Sequence, residues 1–119
     1  MADLGQAAEP VVVEFPDEFD FDNAGDVAER LRAAIAPGVS AVVADLTTTA
    51  FCDSSGVRIM LLARDWASVG NVELRLAVPP GPTLVVLKLL ALDERLPVYP
   101  SLEQALAGEP ALDADAPCG

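Results

Sequence analysis

The chain has 119 residues, a 52% hydrophobic fraction and a formal net charge of −12, with no His. The length is that of one domain, and so acidic a chain is poorly suited to nucleic acid or anionic membranes, which select clustered Lys and Arg. Without His, the chain lacks the usual general base, the Ser-His-Asp triad and most zinc sites, so we expect no metal and no enzyme activity.

The two ends of the chain differ in composition from its middle. Residues 1–10 carry no basic residue and no apolar signal core, so we expect a flexible lead-in and a cytoplasmic protein. Residues 108–119 are small, acidic and Pro-containing, which predicts a disordered acidic tail. The folded domain is therefore expected over residues 11–107.

The first third of the domain predicts a strand and then a helix. Val11–Phe15 is a β-branched run ended by Pro16, typical of a strand. After an acidic loop, an Asx residue within Asp22–Asp26 is expected to cap a helix that ends at Pro37-Gly38. Its buried stripe is predicted from apolar residues that recur every four positions, namely Val27, Leu31 and Ile35.

The middle of the chain predicts a buried strand, a polar loop and a second helix. Ala41–Leu46 is apolar on both alternating faces, as expected of a central strand covered on each side. A loop of small and polar residues follows. The next helix is predicted to begin near Ser54 and to run to Val69, where Gly70-Asn71 ends it.

The last third predicts an alternating strand, a helix, an edge strand and a short helix. Val72–Val78 alternates with period two, and Thr83–Leu92 contains good helix formers. Leu96–Tyr99 is expected at a sheet edge because Pro97 cannot donate a ladder bond. Ser101 is a predicted N-cap for the helix that ends the domain. Strands that alternate with helices indicate an α/β fold with a largely parallel sheet.

The loop between the central strand and its helix is the predicted functional site. Asp53 and Ser54 coincide with the helix start, so one of them is expected to cap it, with Gly56 allowing close packing. A helix N-terminus also tolerates a phosphate. Ser54 or Ser55 as a nucleophile is disfavoured, because the stretch is not a G-x-S-x-G elbow and only Lys88 remains as a possible base.

Three ordered motifs resemble the STAS domain of bacterial anti-sigma factor antagonists. They are Asp53-Ser54-Ser55-Gly56-Val57 after the strand Ala41–Leu46, the acidic segment Asp17–Ala24, and the C-terminal segment Leu89–Leu106. The resemblance implies an α/β, STAS-like fold with a four- to five-stranded mixed, mainly parallel sheet and about four helices. It covers most of residues 11–107.

The resemblance also implies a phosphorylation switch. Ser54 would be phosphorylated by an anti-sigma factor that is itself a serine kinase, so ATP and Mg²⁺ would belong to that partner and this chain would need no cofactor. The unphosphorylated form would bind the anti-sigma factor and release a sigma factor, and a serine phosphatase would restore Ser54. The partner-binding surface is expected to comprise Asp20, Asp22, Asp53, Ser54, Ser55, Gly56, Val57 and Arg58, of which Arg58 stands where the family often has a small residue.

The same residues also fit other interpretations of the function. The alternative function is a STAS-like scaffold or small-ligand-sensing module in which Ser54 is only a helix cap and is not phosphorylated. A disulfide between Cys52 and Cys118 would give redox control of docking, although a buried filler and an incidental exposed thiol explain the same two residues.

Overall fold

The computed structural model describes residues 10–108, so the predicted lead-in and tail lie outside it apart from Pro10 and Gly108. Among the described residues, no helix is long and apolar enough to cross a membrane. The elements in chain order are β1 (Val11–Glu14), β2 (Glu18–Phe19), α1 (Phe21–Ala34), β3 (Ala41–Asp45), β4 (Phe51–Cys52), α2 (Ser54–Val69), β5 (Glu73–Ala77), α3 (Pro82–Leu89), a 3-10 turn (Leu92–Glu94), β6 (Val98–Tyr99) and α4 (Leu102–Ala107).

The main sheet has four parallel strands in the order β1-β3-β5-β6. All five residues of β3 are buried, as expected of a central strand that is covered on both faces. The alternating residues Val72, Leu74, Leu76 and Val78 are all buried, and β6 forms an edge next to Pro97. The predicted α/β class and mainly parallel sheet are therefore confirmed.

The two faces of the sheet carry unequal hydrophobic clusters. Val42 and Ala44 join the larger cluster, which also holds the buried side chains of α1 and α2. Val43 points to the other face, where it packs with Tyr99 and Ala105 of α4. The helix α4 is held there by Arg75, whose guanidinium donates to the carbonyl oxygens of Ala105 and Leu106 at 2.9 and 3.3 Å.

The helix α1 begins earlier than the sequence indicates. Asp20, rather than a residue within Asp22–Asp26, is its N-cap, and its carboxylate accepts from the Asp22 amide at 3.0 Å. Asn23 completes a capping box by accepting from the Asp20 amide at 3.0 Å. The last residues of the predicted acidic loop therefore belong to α1. The helix ends at Ala34, before Pro37-Gly38.

The segment predicted as a single helix over Thr83–Leu92 is divided in two. The helix α3 ends at Leu89, and Ala91 adopts a left-handed conformation with φ of 60°. This break turns the chain so that Leu92 is buried in a separate 3-10 turn. Helix propensity alone did not reveal the break, because Ala is a good helix former and has no preference for left-handed backbone.

A second sheet, absent from the sequence-based prediction, consists of β2 and β4. The two strands pair in parallel with Glu18 opposite Phe51 and Phe19 opposite Cys52. Phe19 is fully buried and meets Phe15 edge to face, with ring centroids 4.8 Å apart. Strands of two residues are too short to show a hydrophobic period, so only the folded chain reveals them.

Candidate functional site

The N-termini of α1 and α2 lie side by side at the end of the small sheet. Asp20 follows β2 and caps α1, whereas Asp53 follows β4 and caps α2. Because β2 and β4 pair in register, the two aspartates continue adjacent strands, and the Asp53 amide donates to the Phe19 carbonyl at 3.1 Å. The structure thus brings Asp20 to the start of α2, 33 positions away in sequence from Asp53.

Asp53, not Ser54, is the residue that caps α2. Its carboxylate accepts from the amides of Ser55 at 2.9 Å and Gly56 at 3.2 Å. Its backbone carbonyl accepts from the amides of Gly56 and Val57. Ser54 is the first helical residue and is exposed, and its hydroxyl makes no hydrogen bond to any group within residues 10–108. The hydroxyl is therefore free for chemistry with another molecule.

Gly56 allows α2 to approach the small sheet closely. A Cβ at this position would lie 2.7 Å from a ring carbon of Phe19 and 2.9 Å from Sγ of Cys52. Such distances are shorter than van der Waals contact, so any side chain would push the helix away from β2 and β4. Gly56 therefore fixes the distance between the first turn of α2, which carries Ser54, and the small sheet of β2 and β4.

The predicted site residues of α2 lie on two different faces of the helix. Ser54 and Arg58 are exposed one turn apart, and Leu62 continues the same row. Gly56 and Val57, which were expected to contact a partner, are buried instead. The 3.6-residue period of the helix turns them toward the core, so their contact with a partner stays a prediction.

The loop from β3 to β4 is tied at both ends by side-chain hydrogen bonds. The buried Asp45 carboxylate accepts from the Thr47 amide at 2.9 Å and from the Thr47 hydroxyl at 2.6 Å. Farther along, Thr49 Oγ1 donates to the Pro16 carbonyl, and Thr83 Oγ1 of α3 donates to the Thr49 carbonyl at 2.8 Å. These bonds hold the loop to α3 and to the segment between β1 and β2, so Ser54 is presented by an anchored segment.

Cys52 is a packing residue beneath this surface. Its side chain is buried, and burial first, then the charge of Asp53, raises the pKa of the Cys52 thiol from 9.0 to about 11. A thiol of this kind is a poor nucleophile at neutral pH. Cys118 lies outside the described residues, so the disulfide hypothesis remains without a structural test.

Exposed aromatic side chains lie on the elements next to Ser54, and their sequence context did not predict a functional role. Phe21 at the start of α1 is 77% exposed, and Phe51 of β4 is 51% exposed. Val85 and Leu89 are exposed on α3, which packs against β4. The only sequence signal was that both Phe residues interrupt polar loops, which is equally typical of core residues.

The charge around the serine is acidic with one exception. Asp17, Glu18 and Asp22 are exposed, and Asp20 and Asp53 are partly exposed. Arg58 is the one cationic residue in segments 17–26 and 47–62. A partner that approaches this surface would meet apolar side chains within an acidic rim.

Cavities of the described region do not mark Ser54 as a small-molecule site. The cavity near it, about 70 Å³, is lined by residues that include Phe51, Thr83 and Val86. Ligand pockets are typically about 300–1,000 Å³. A cavity of about 470 Å³ lies near the amino ends of β5 and β6, beside Arg64 and Arg95, and contains none of the predicted site residues. Residues 10–108 also contain no group of three acidic or Cys side chains arranged to hold a metal.

Comparison with known proteins identifies one family. A family model described as "STAS domain" matches residues 2–105. An anti-sigma-factor antagonist (STAS) domain protein from Planctomyces limnophilus is 20% identical with a TM-score of 0.72, and the match covers 82% of this chain and 86% of that one. A putative anti-sigma factor antagonist from Thermotoga maritima gives 20% identity, the same coverages and a TM-score of 0.71.

A third similar structure comes from a different functional context. It is a sulfate transporter family protein from Wolinella succinogenes, 17% identical, with a TM-score of 0.70 and 83% of each chain covered. At these identities the similarities establish the fold of this chain. No match was found among curated protein sequences.

Gly→Ala substitutions at Gly56 and at Gly25 should have opposite effects on stability. Gly56→Ala should lower the free energy of unfolding by about 1–3 kcal/mol, because the new methyl collides with Phe19 and Cys52. Gly25→Ala in α1 meets no atom within 4 Å and should raise stability by about 0.5–1 kcal/mol through helix propensity. Urea denaturation measures both variants, and an unchanged Gly56→Ala midpoint would contradict the packing argument.

The raised pKa of Cys52 predicts slow alkylation. At pH 8 its thiolate fraction should be roughly 100-fold below that of a thiol with the ordinary value of 9.0, and it should increase as the pH rises toward about 11. The measurement is iodoacetamide modification of a Cys118→Ser variant, read by intact mass. The same variant in urea is the control and should react at the ordinary rate. Equal rates in the folded and unfolded protein would contradict the assignment.

Proposed function

We propose that this chain, which belongs to the STAS domain family, acts as an anti-sigma factor antagonist controlled by phosphorylation of Ser54. The observation that carries the proposal is the exposed, unbonded Ser54 hydroxyl at the first residue of α2. In the proposed cycle, the unphosphorylated domain binds an anti-sigma factor and frees a sigma factor. Phosphorylation ends this binding, and a serine phosphatase restores it.

The chemistry of the switch belongs to the partner. The anti-sigma factor acts as a serine kinase and supplies ATP, Mg²⁺ and the base that takes the proton from Ser54 Oγ. Oγ then bonds to the γ-phosphorus while the bond to the β,γ-bridging oxygen breaks and ADP leaves. The chain contributes an acceptor whose position is fixed by the Asp53 cap and the Gly56 contact.

The neighbouring charges give the switch its direction. A phosphate adds about −1.5 to −2 charge at neutral pH. Asp20, Asp22 and Asp53 already make this surface negative. A partner that binds the surface would therefore have to bind the negative charge of the phosphate as well. A like-charge cluster confined in an interface costs several kcal/mol by order of magnitude. Release therefore needs no large change in the fold.

Apolar side chains supply the attraction that the acidic rim does not. Exposed aromatic residues are common anchors in interfaces, where they fill pockets of the partner. Phe51 lies three residues before Ser54, and Phe21 directly follows the Asp20 cap of the adjacent helix. The small cavity near Phe51 favours this protein-binding function over a small-ligand sensor.

Phosphorylation and binding should both depend on Ser54. With purified anti-sigma factor kinases of the source organism, Ser54→Ala should abolish phosphate incorporation, measured by intact mass. Ser54→Asp should weaken binding by at least about tenfold, since tenfold corresponds to about 1.4 kcal/mol and like-charge contacts cost more. Ser55→Ala is the matched control and should still accept phosphate.

Two outcomes would contradict this function. One is phosphate incorporation that persists in Ser54→Ala. The other is equal affinity of the wild type and Ser54→Asp for every kinase that binds the wild type. Calorimetry or surface plasmon resonance measures the affinities. Circular dichroism confirms that each variant is folded.

Truncation of the exposed aromatic ring should weaken docking without altering the fold. Phe51→Ala should reduce affinity for the kinase by at least about tenfold, as expected for an aromatic anchor at an interface. Val69→Ala removes a 91% exposed side chain at the other end of α2 and should leave affinity unchanged. Equal affinities of these two variants would show that Phe51 is not an anchor.

A further inference from the structure

Arg58 lies one helical turn after Ser54 on the exposed face of α2. Residues four apart on a helix are surface neighbours, with Cβ atoms about 5–6 Å apart. An Arg side chain spans that separation and presents a planar fork of donors suited to phosphate oxygens. The guanidinium of Arg58 makes no ion pair or hydrogen bond within residues 10–108, so it is available.

The backbone amides of Ser55, Gly56 and Val57 in the first turn of α2 are already engaged. The Asp53 carboxylate takes the amides of Ser55 and Gly56, and the Asp53 carbonyl takes those of Gly56 and Val57. A phosphate on Ser54 would have to displace the cap to use these donors. The Ser54 amide is the one first-turn donor that the cap leaves available, so a side-chain cation is needed to pair with the remaining charge of the phosphate.

Within residues 17–26 and 47–62, which surround Ser54, Arg58 is the one cation among acidic residues. Glu18 comes from β2, Asp20 and Asp22 from the start of α1, and Asp53 from the cap of α2. β4 has no charged residue. The helix α3, which packs against β4, carries the exposed Lys88. Arg58 is thus the one cation on the same helix within a turn of the phosphorylation site.

We propose that Arg58 pairs with the phosphate on Ser54 and thereby stabilises the phosphorylated form of the domain. This inference rests on the proposed function, because it concerns the phosphorylated form of the same serine. Pairing moves the guanidinium from solvent to the phosphate. Phosphorylation then changes two features of the docking surface together, since it adds negative charge and withdraws the one nearby cation of α2 from the partner.

The pairing has a test that needs no kinase. Phosphoserine is incorporated at position 54 of the full chain during translation, and the second pKa of the phosphate is followed by ³¹P NMR titration. A nearby cation favours the dianion, so Arg58 should hold this pKa below the value of about 6 that is usual for phosphoserine, or offset the rise caused by the acidic neighbours. Arg58→Gln should therefore raise the pKa by roughly 0.2–0.4, the equivalent of an i,i+4 ion pair.

Matched variants assign the effect to Arg58. Arg58→Lys should retain part of the shift, because Lys keeps the charge but not the bidentate geometry. Arg64 lies on the same helix, but its guanidinium already donates to the Arg95 carbonyl. Arg64→Gln should therefore leave the pKa of the phosphate unchanged. A larger shift in Lys88→Gln than in Arg58→Gln would overturn the assignment to Arg58.

The result is separable from that of the proposed function. If Arg58→Gln leaves the phosphate pKa unchanged, the pairing is refuted even where a kinase phosphorylates Ser54 and loses its affinity as a consequence. If no kinase modifies Ser54 while Arg58→Gln shifts the pKa as expected, the switch fails and the pairing describes only the installed phosphoserine. Thermal unfolding of each variant verifies that the titrations report on folded protein.

Discussion

The close approach of α2 to the small β2/β4 sheet is the contact on which the site depends. Gly56 lies where a Cβ would overlap the buried ring of Phe19 and the sulfur of Cys52. The Asp53 amide is bonded to the Phe19 carbonyl at the same junction. Packing and hydrogen bonding thus fix the first turn of α2 against the strand that leads into α1. Ser54 owes its outward position to this arrangement.

The same junction combines an anchored backbone with an exposed, unbonded hydroxyl. Capping aspartates satisfy the amides at both helix starts, and the Thr49 and Thr83 hydroxyls tie the preceding loop to the segment between β1 and β2 and to α3. With the local polar groups paired, the Ser54 hydroxyl remains unbonded within residues 10–108. In the proposed function, such a fixed acceptor would lower the entropy cost of docking to a kinase. In that proposal the exposed aromatic rings would attract the partner and the acidic rim would repel it once Ser54 is phosphorylated.

Much of the fold could be predicted from local pattern. The period-two run at β5, the fully apolar β3 and the Asp-Ser start of α2 each have a direct physical cause in the sequence. The limits of α1 and α3 were less predictable. Several Asx residues compete to cap α1, and the left-handed Ala91 has no local preference for that conformation. Tertiary packing selects among conformations that are nearly equal in local energy.

The sequence by itself determined the chemical character of the protein: an acidic α/β domain without His, with a hydroxyl at a helix start after its central strand. Tertiary structure decided which residues share a surface. It turned Gly56 and Val57 inward, left Arg58, Phe21 and Phe51 outside, and joined the Asp20 and Asp53 caps through two strands too short to show a pattern. The physical reason is that exposure and proximity depend on contacts between distant segments, whereas caps and periodicity depend on neighbours along the chain.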